Sequence, residues 1–292
     1  MAESSAAVMP AVGSILHPTD FSRASDRAFA HALAIALVWQ TEFTILHVGP
    51  EKESSIKSSR FPPVRQTLER WRLLEAGSPR SAVFEEYQVR VRKIAVRSRH
   101  PLLALADFLD SHPTNLIVVA TKRRKWLSRW INRSDAGTMA RWTGTKTLFV
   151  PAGAKRRFVS LDGDVNLKKI LVPVNREPDC TAALEMSRRL AEVLGDGPVA
   201  ITLLHVGDSD LPMPTLVDGP DWSWHRELRQ GNPVTEILSA AERQAANLIV
   251  MSTSTDEGVS NTLRSGMTEQ VIRYAPCPLL VVPAPAPFSQ RD

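Results

Sequence analysis

The chain has 292 residues, 43% hydrophobic and 23% charged, with a formal net charge of +5 at pH 7. Such a length allows one or two domains, and the composition is that of an ordinary soluble globular protein with enough apolar residues for packed cores. No apolar run approaches the roughly 20 residues that span a bilayer. The opening residues Met1 to Ser14 lack a basic segment followed by a long apolar one, so no secretion signal is expected. The charge excess biases the chain weakly toward anions but is no nucleic-acid signature. Cys180 and Cys277 lie far apart and outside any metal-ligand spacing. They read as small apolar residues in a reducing cytoplasm.

In chain order, Ile15 to Thr19 is predicted as a buried strand, and Ser22 caps the helix that follows. That helix carries Ala28, Phe29, Ala32, Leu33 and Ala36 at core spacing. Phe43 to Val48 is a second strand and Glu51 to Arg60 a polar loop. Pro62 or Pro63 starts an amphipathic helix with Val64, Leu68, Trp71 and Leu74. Tyr87 to Ile94 alternates as a third strand, and Leu102 to Leu109 is a helix. Leu116 to Val119 is the next strand; a short helix near Gly137 to Trp142 and the strand Thr147 to Val150 finish the unit. Strand and helix alternate, which predicts a parallel, doubly wound sheet.

The same pieces then recur in the same order. Ile15-Leu16-His17-Pro18-Thr19-Asp20 matches Ile170-Leu171-Val172-Pro173-Val174-Asn175. Phe43 to Gly49 matches Ile201 to Gly207, Asn115 to Val119 matches Asn247 to Met251, and Thr147 to Pro151 matches Leu279 to Pro283. Phe43 and Ile201 are 158 positions apart but Asn115 and Asn247 only 132, so the second copy lacks 26 residues in between. Its remaining elements are a helix from Thr181 to Leu194, strands Val199 to Val206 and Trp222 to Leu228, a helix from Pro233 to Ala245, and a helical pattern through Met267, Val271 and Ile272. Asp208 to Asp221 is too rich in Pro and Gly for a full helix. The organisation is therefore a domain over 14–152, a polar linker over 153–166, and a domain over 167–283 whose second helix is lost or shortened.

These pieces carry a family likeness. Pro18-Thr19-Asp20-Phe21-Ser22, Leu46-His47-Val48, Leu204-His205-Val206, Gly231-Asn232-Pro233, Asn247 to Met251 and Ala275 to Val282 resemble the universal stress protein family in its tandem two-domain form. The resemblance implies two five-stranded parallel sheets flanked by helices. It also implies their packing as an intramolecular pseudo-dimer, with a homodimer as a further assembly. Many members bind ATP. The family uses an aspartate ending the first strand, a backbone valine ending the second, and a G-x-x-G-x9-G-S/T loop after the fourth. Its glycines let the backbone approach phosphates, and the last hydroxyl adds a donor at a helix start.

By that resemblance the first copy offers Pro18, Thr19, Asp20, Val48, Thr121, Lys122, Arg123 and Ser134 to an adenine nucleotide. It keeps the aspartate, but Ala120 and Arg123 stand at the glycine positions. The second copy offers Pro173, Val174, Asn175, Val206, Ser252, Thr253, Thr255, Ser265, Gly266, Met267 and Thr268. There Asn175 replaces the aspartate, Ser252 and Thr255 replace glycines, and the final pair is Ser265-Gly266. The loop is either a retained nucleotide site lined with hydroxyls or a structural loop whose hydroxyls bond its own backbone.

The first copy's loop, Lys122 to Arg133, is basic and holds Trp126 and Trp130. Three readings stand: a phosphate site of side-chain cations, a surface for nucleic acid or anionic lipid, and a solvated loop whose tryptophans pack on the other copy. His47 and His205 occupy equivalent strand positions and read as packing residues; His17 is a candidate lining of the first cleft. Trp222 and Trp224 alternate as a strand does, and one indole is expected to cover the sheet where the second copy is short. No catalytic triad, carboxylate pair or metal cluster emerges. The leading expectation is a cytoplasmic, non-enzymatic stress or regulatory protein with degenerate adenine-nucleotide clefts. The alternatives are an ATP-binding protein with slow hydrolysis and an anion or nucleic-acid binder working through 122–133.

Overall fold

A computed structural model of the chain describes residues 13–50, 58–121, 144–208, 216, 218–253 and 266–284. Ten strands form one sheet in the order β3-β2-β1-β4-β5-β10-β9-β6-β7-β8. The first half contributes β1 (Ser14–Pro18), β2 (Glu42–Gly49), β3 (Arg90–Arg97), β4 (Leu116–Thr121) and β5 (Lys146–Pro151). The second contributes β6 (Leu167–Pro173), β7 (Gly195–Val206), β8 (Trp222–Arg229), β9 (Leu248–Thr253) and β10 (Leu279–Pro283). Pairing within each half is parallel. The halves meet where β10 runs antiparallel to β5, with Leu279 opposite Phe149, Leu280 opposite Leu148 and Val281 opposite Thr147. The pseudo-dimer expected from the repeat is thus one continuous sheet.

Strands β1, β4, β9 and β10 are almost wholly buried, as central parallel strands with both faces covered must be. One face lies under α1 (Arg23–Trp39) and its counterpart α5 (Thr181–Leu194). The other lies under α4 (Pro101–Ser111), α6 (Pro233–Arg243) and α7 (Met267–Tyr274). Helix α1 starts where the Ser25 amide donates to Ser22 Oγ at 3.4 Å. It ends at Gln40 in the left-handed conformation. Helix α6 starts where the Thr235 amide donates to Asn232 Oδ1 at 3.1 Å, with Pro233 in the first turn.

The region between β2 and β3 departs from expectation. The amphipathic helix α2 spans only Val64–Arg70, though Trp71 and Leu74 beyond it are buried as predicted. A further short helix, α3 (Ala82–Tyr87), follows it. Tyr87 therefore ends a helix and does not open a strand. Gln88 adopts a left-handed φ of 56° that terminates α3, and the strand begins at Arg90. The short predicted helix near 137–142 lies outside the described residues. Among the described residues no helix lies between β7 and β8. There Trp222 and Trp224 both pack against the α1/α5-side core.

The segment between the halves is docked. Phe158 and Val159 are buried, Val159 bridges Val165, and the Asn166 amide donates to Phe158 O at 2.8 Å. Trp71 Nε1 donates to Leu161 O at 2.8 Å, and Arg156 pairs with Glu242 at 3.0 Å. Phe158 sits where the halves meet, sharing an apolar contact zone with Ile35 and Trp39 of α1 and with Met186 and Leu190 of α5.

Candidate functional site

In an open parallel sheet, ligands bind beyond the carboxyl ends of the strands, near helix starts. In the second half this edge forms a cleft lined by Pro173, Val174 and Asn175 after β6, Val206 at the end of β7, and Ser252 in β9, together with Met267 at the start of α7. Six of the residues predicted from sequence therefore meet there. Its walled part holds about 70 Å³, and with the space open to solvent it reaches about 510 Å³. The first figure suits a ring-sized fragment and is small beside the roughly 300–1,000 Å³ of drug-sized small-molecule sites.

The chemistry of this cleft is polar and uncharged at the positions the repeat singles out. Asn175 is exposed, and its Oδ1 accepts from the Arg176 amide at 2.9 Å. Ser252 Oγ is buried and has no hydrogen-bond partner among the described residues. A buried hydroxyl without a partner loses about 1–3 kcal/mol of desolvation energy, so an added acceptor or donor there is favoured. Gly266 caps α7 without a side chain to accept from the first-turn amides. Glu269 stands in that same turn, mostly buried and paired with Arg273 at 3.0 Å. Burial raises its pKa, and its carboxylate disfavours a second anion at this helix start.

The other predicted residues lie beside the cleft or outside the described residues. Thr253 is buried, and its carbonyl accepts from the Ala284 amide at 2.7 Å, closing the sheet. Thr268 is buried in the first turn of α7. Thr255 and Ser265 lie outside the described residues. Glu177 and Pro178 line the cleft although no sequence pattern marked them; they sit in the loop between β6 and α5, where neither repeat nor periodicity gives a signal. Pro233 and Ile237 of α6 complete the wall, and the Gly231-Asn232-Pro233 motif did point to that helix start.

In the first half Pro18 ends β1, Thr19 and Asp20 follow it, and Val48 lies near the end of β2. Thr19 is fully engaged: its amide donates to Leu46 O at 2.8 Å, and its hydroxyl accepts from the Phe21 amide at 3.1 Å and from Ser25 Oγ at 3.0 Å. Asp20 is exposed, and its Oδ1 accepts from the Ser22 amide at 3.0 Å. Thr121 is buried, its carbonyl taken by the Ala152 amide at 2.8 Å. Lys122, Arg123 and Ser134 lie outside the described residues, as does the basic stretch 122–133.

The histidines are structural. Nδ1 of His47 lies 2.8 Å from Thr19 O, and Nδ1 of His205 lies 3.2 Å from Val174 O, so each ring ties the second strand of its half to the turn after the first. His17 does not line a cleft. It is fully buried beneath α1, between Val118 O at 2.9 Å and Ser25 Oγ at 3.2 Å. Burial lowers its pKa to about 4, against the pull of the Val118 carbonyl and Asp20. Burial also pushes the Cys277 thiol up to about 12, which removes it as a nucleophile. Among the described residues no group of His, Cys, Asp and Glu could hold a metal ion. None of the described helices is long and apolar enough to cross a membrane.

Comparison with known proteins agrees with this architecture. The model of the universal stress protein family matches residues 12–141 and 215–283, more than half of the chain. A universal stress protein of Methanocaldococcus jannaschii is 43% identical over 61 residues, which are 21% of this chain and 36% of that protein. One from Methanothermobacter thermautotrophicus is 34% identical over 65 residues, 22% of this chain and 44% of that protein. The chain therefore spans less than half the length of these relatives. Across the whole fold, the crystal structure of a universal stress protein from Archaeoglobus fulgidus superposes with a TM-score of 0.61, covering 94% of this chain and 97% of that one at 17% identity. With its duplicated strand order and a family match in both halves, the chain belongs to the universal stress protein family.

Proposed function

We propose that this protein is a non-enzymatic, cytoplasmic stress-response or regulatory protein whose second-half cleft takes an adenine nucleotide weakly. Its two domains, 14–152 and 167–283, share the sheet but not the site. The observation that carries this reading is the buried, unpartnered Ser252 Oγ in the wall of a cleft at the carboxyl edge of the sheet. A ring-sized pocket bounded by the Asn175 amide and the end of β7 suits a base, and the Ser252 hydroxyl beside it suits a ribose oxygen.

Isothermal titration of the purified full chain with ATP and AMP, with and without magnesium, tests it. Saturable heat is expected. The Ser252→Ala chain should bind roughly 2–10-fold more weakly, as loss of one neutral hydrogen bond implies. No heat at millimolar nucleotide, or unchanged affinity in the variant, overturns the reading. Phosphate release above the buffer blank in the same samples would instead establish the ATP-hydrolysing alternative.

A further inference from the structure

A second concavity lies away from this cleft, over the amino-terminal half of edge strand β3. It is walled by α2 and α3, and its volume is about 780 Å³, well within the range of small-molecule sites. Its apolar lining comes from Phe61, Val64, Val83, Phe84, Val89 and Val91. Its charged lining is wholly cationic: Arg65, Arg80, Arg90 and Lys93, with no Asp or Glu among the lining residues. Arg65 is already committed, bonded to Glu69 at 2.6 Å and to Ser78 O at 2.9 Å. Arg92, which points elsewhere on the same strand, pairs with Glu42 at 3.1 Å. Arg80, Arg90 and Lys93 form no ion pair among the described residues. The Arg90 guanidinium lies 5.2 Å from the Phe84 ring centroid, so one wall is an exposed aromatic face with a cation over it. Lys93 is held below the usual lysine range by partial desolvation and by the like charge of Arg80. Three cations gathered without a counter-charge beside an apolar wall are electrostatically unfavourable unless an anion joins them.

Among the described residues the second half has no counterpart of α2 and α3. Leu46 pairs with Ile94 on β3, and its repeat counterpart Leu204 pairs with Glu227 on β8. By that register Val89 and Val91 correspond to Trp222 and Trp224. The two indoles fill, in the second half, the space beside the edge strand that the groove leaves open in the first. Of the 26 residues present only in the first copy, 25 lie between β2 and β3, the segment that builds α2 and α3.

We propose that the groove binds an organic phosphate with an apolar or aromatic body, the phosphate held by Arg80, Arg90 and Lys93 and the body lying against Phe84 and Val83. Arginine forks match phosphate oxygens two at a time, and an aromatic wall accepts a flat or acyl body. Two sources share this chemistry, a nucleotide and a lysophospholipid. Titration calorimetry of the full chain with 1-naphthyl phosphate, AMP and lysophosphatidate as separate probes tests the proposal and distinguishes the sources. At least one probe is expected to bind, with affinity falling as salt rises. The double variant Arg80→Ala/Lys93→Ala should weaken that binding tenfold or more, while Ser252→Ala leaves it unchanged. Both altered side chains are exposed, so the far-ultraviolet circular dichroism should not change. The conservative pair Arg80→Gln/Lys93→Gln should behave as the alanine pair does. Failure of all three probes to bind, or equal affinity of the parent chain and both variants, overturns the proposal. Loss of binding through Ser252→Ala would assign the probe to the second-half cleft and overturn it as well.

Discussion

Phe158→Ala tests whether the two halves are thermodynamically one unit. Phe158 is 1% exposed and meets the His31 ring edge-on at a centroid distance of 4.6 Å. It touches the zone where α1 of one half faces α5 of the other. Burying a phenyl side chain is worth about 1.5–3 kcal/mol by transfer, and the cavity left at a rigid junction raises the loss to about 3–5 kcal/mol. With a urea slope of roughly 3 kcal/mol/M for a chain of this size, the midpoint should fall by about 1–1.7 M. Equilibrium unfolding in urea, followed by tryptophan fluorescence and by circular dichroism, reads this directly. Both probes should shift together in a single transition, because the substitution weakens an interface common to both halves. A loss below about 1 kcal/mol would refute the reasoning. So would two transitions of which only one moves, since that would make the halves independent.

Acid should destabilise the fold through His17 and His31, both fully buried with pKa values lowered to about 4 by desolvation. The folded pKa lies below the unfolded value of 6.5, so the stability is intact above pH 6.5 and drains as pH falls toward 4, by about 3 kcal/mol per histidine. Urea midpoints measured from pH 7 to pH 4 should show this slope, and His31→Gln should remove about half of it; a flat profile would contradict the burial argument. Gly163→Ala should cost about 2 kcal/mol, because a Cβ there would meet the Trp71 ring at 2.4 Å and Gly163 has a φ of +94°; thermal melts would check it. Asn175→Asp restores a carboxylate at the end of β6 and should tighten adenine-nucleotide binding about fivefold, the difference between a neutral and a charge-assisted hydrogen bond; titration calorimetry showing no gain would detach Asn175 from the site.

The scaffold was readable because its signals are local and doubled. Buried strands such as Leu248–Thr253 and Leu279–Pro283 announce themselves as apolar runs, and the repeat fixed their order. The cleft was readable where it is made of strand ends, as at Asn175 and Val206. It was not readable at Glu177 and Pro178, whose place depends on how a loop folds back. Tyr87 reads as a strand residue because the alternation of Val89 and Val91 extends back onto it, and only the left-handed Gln88 divides helix from strand. His17 looked like a cleft residue from its neighbour Pro18, but its side chain lies under α1, on the face where Ser25 can reach it. The linker's polar composition hid Phe158, a single side chain with no periodic partner.

The antiparallel seam of β5 and β10 has a consequence for assembly. Each of these strands already has a neighbour on both sides, so a second molecule cannot add through them. Only β3 and β8 end the sheet. Strand β3 carries Arg90, Arg92, Lys93 and Arg97 with no acidic residue, and β8 carries Arg226 and Arg229 around the single Glu227. Charged outer strands resist edge-to-edge growth. Fusing two copies therefore does more than tether them: it turns a surface that separate subunits would share into an interior, and leaves a particle whose open borders repel their own kind.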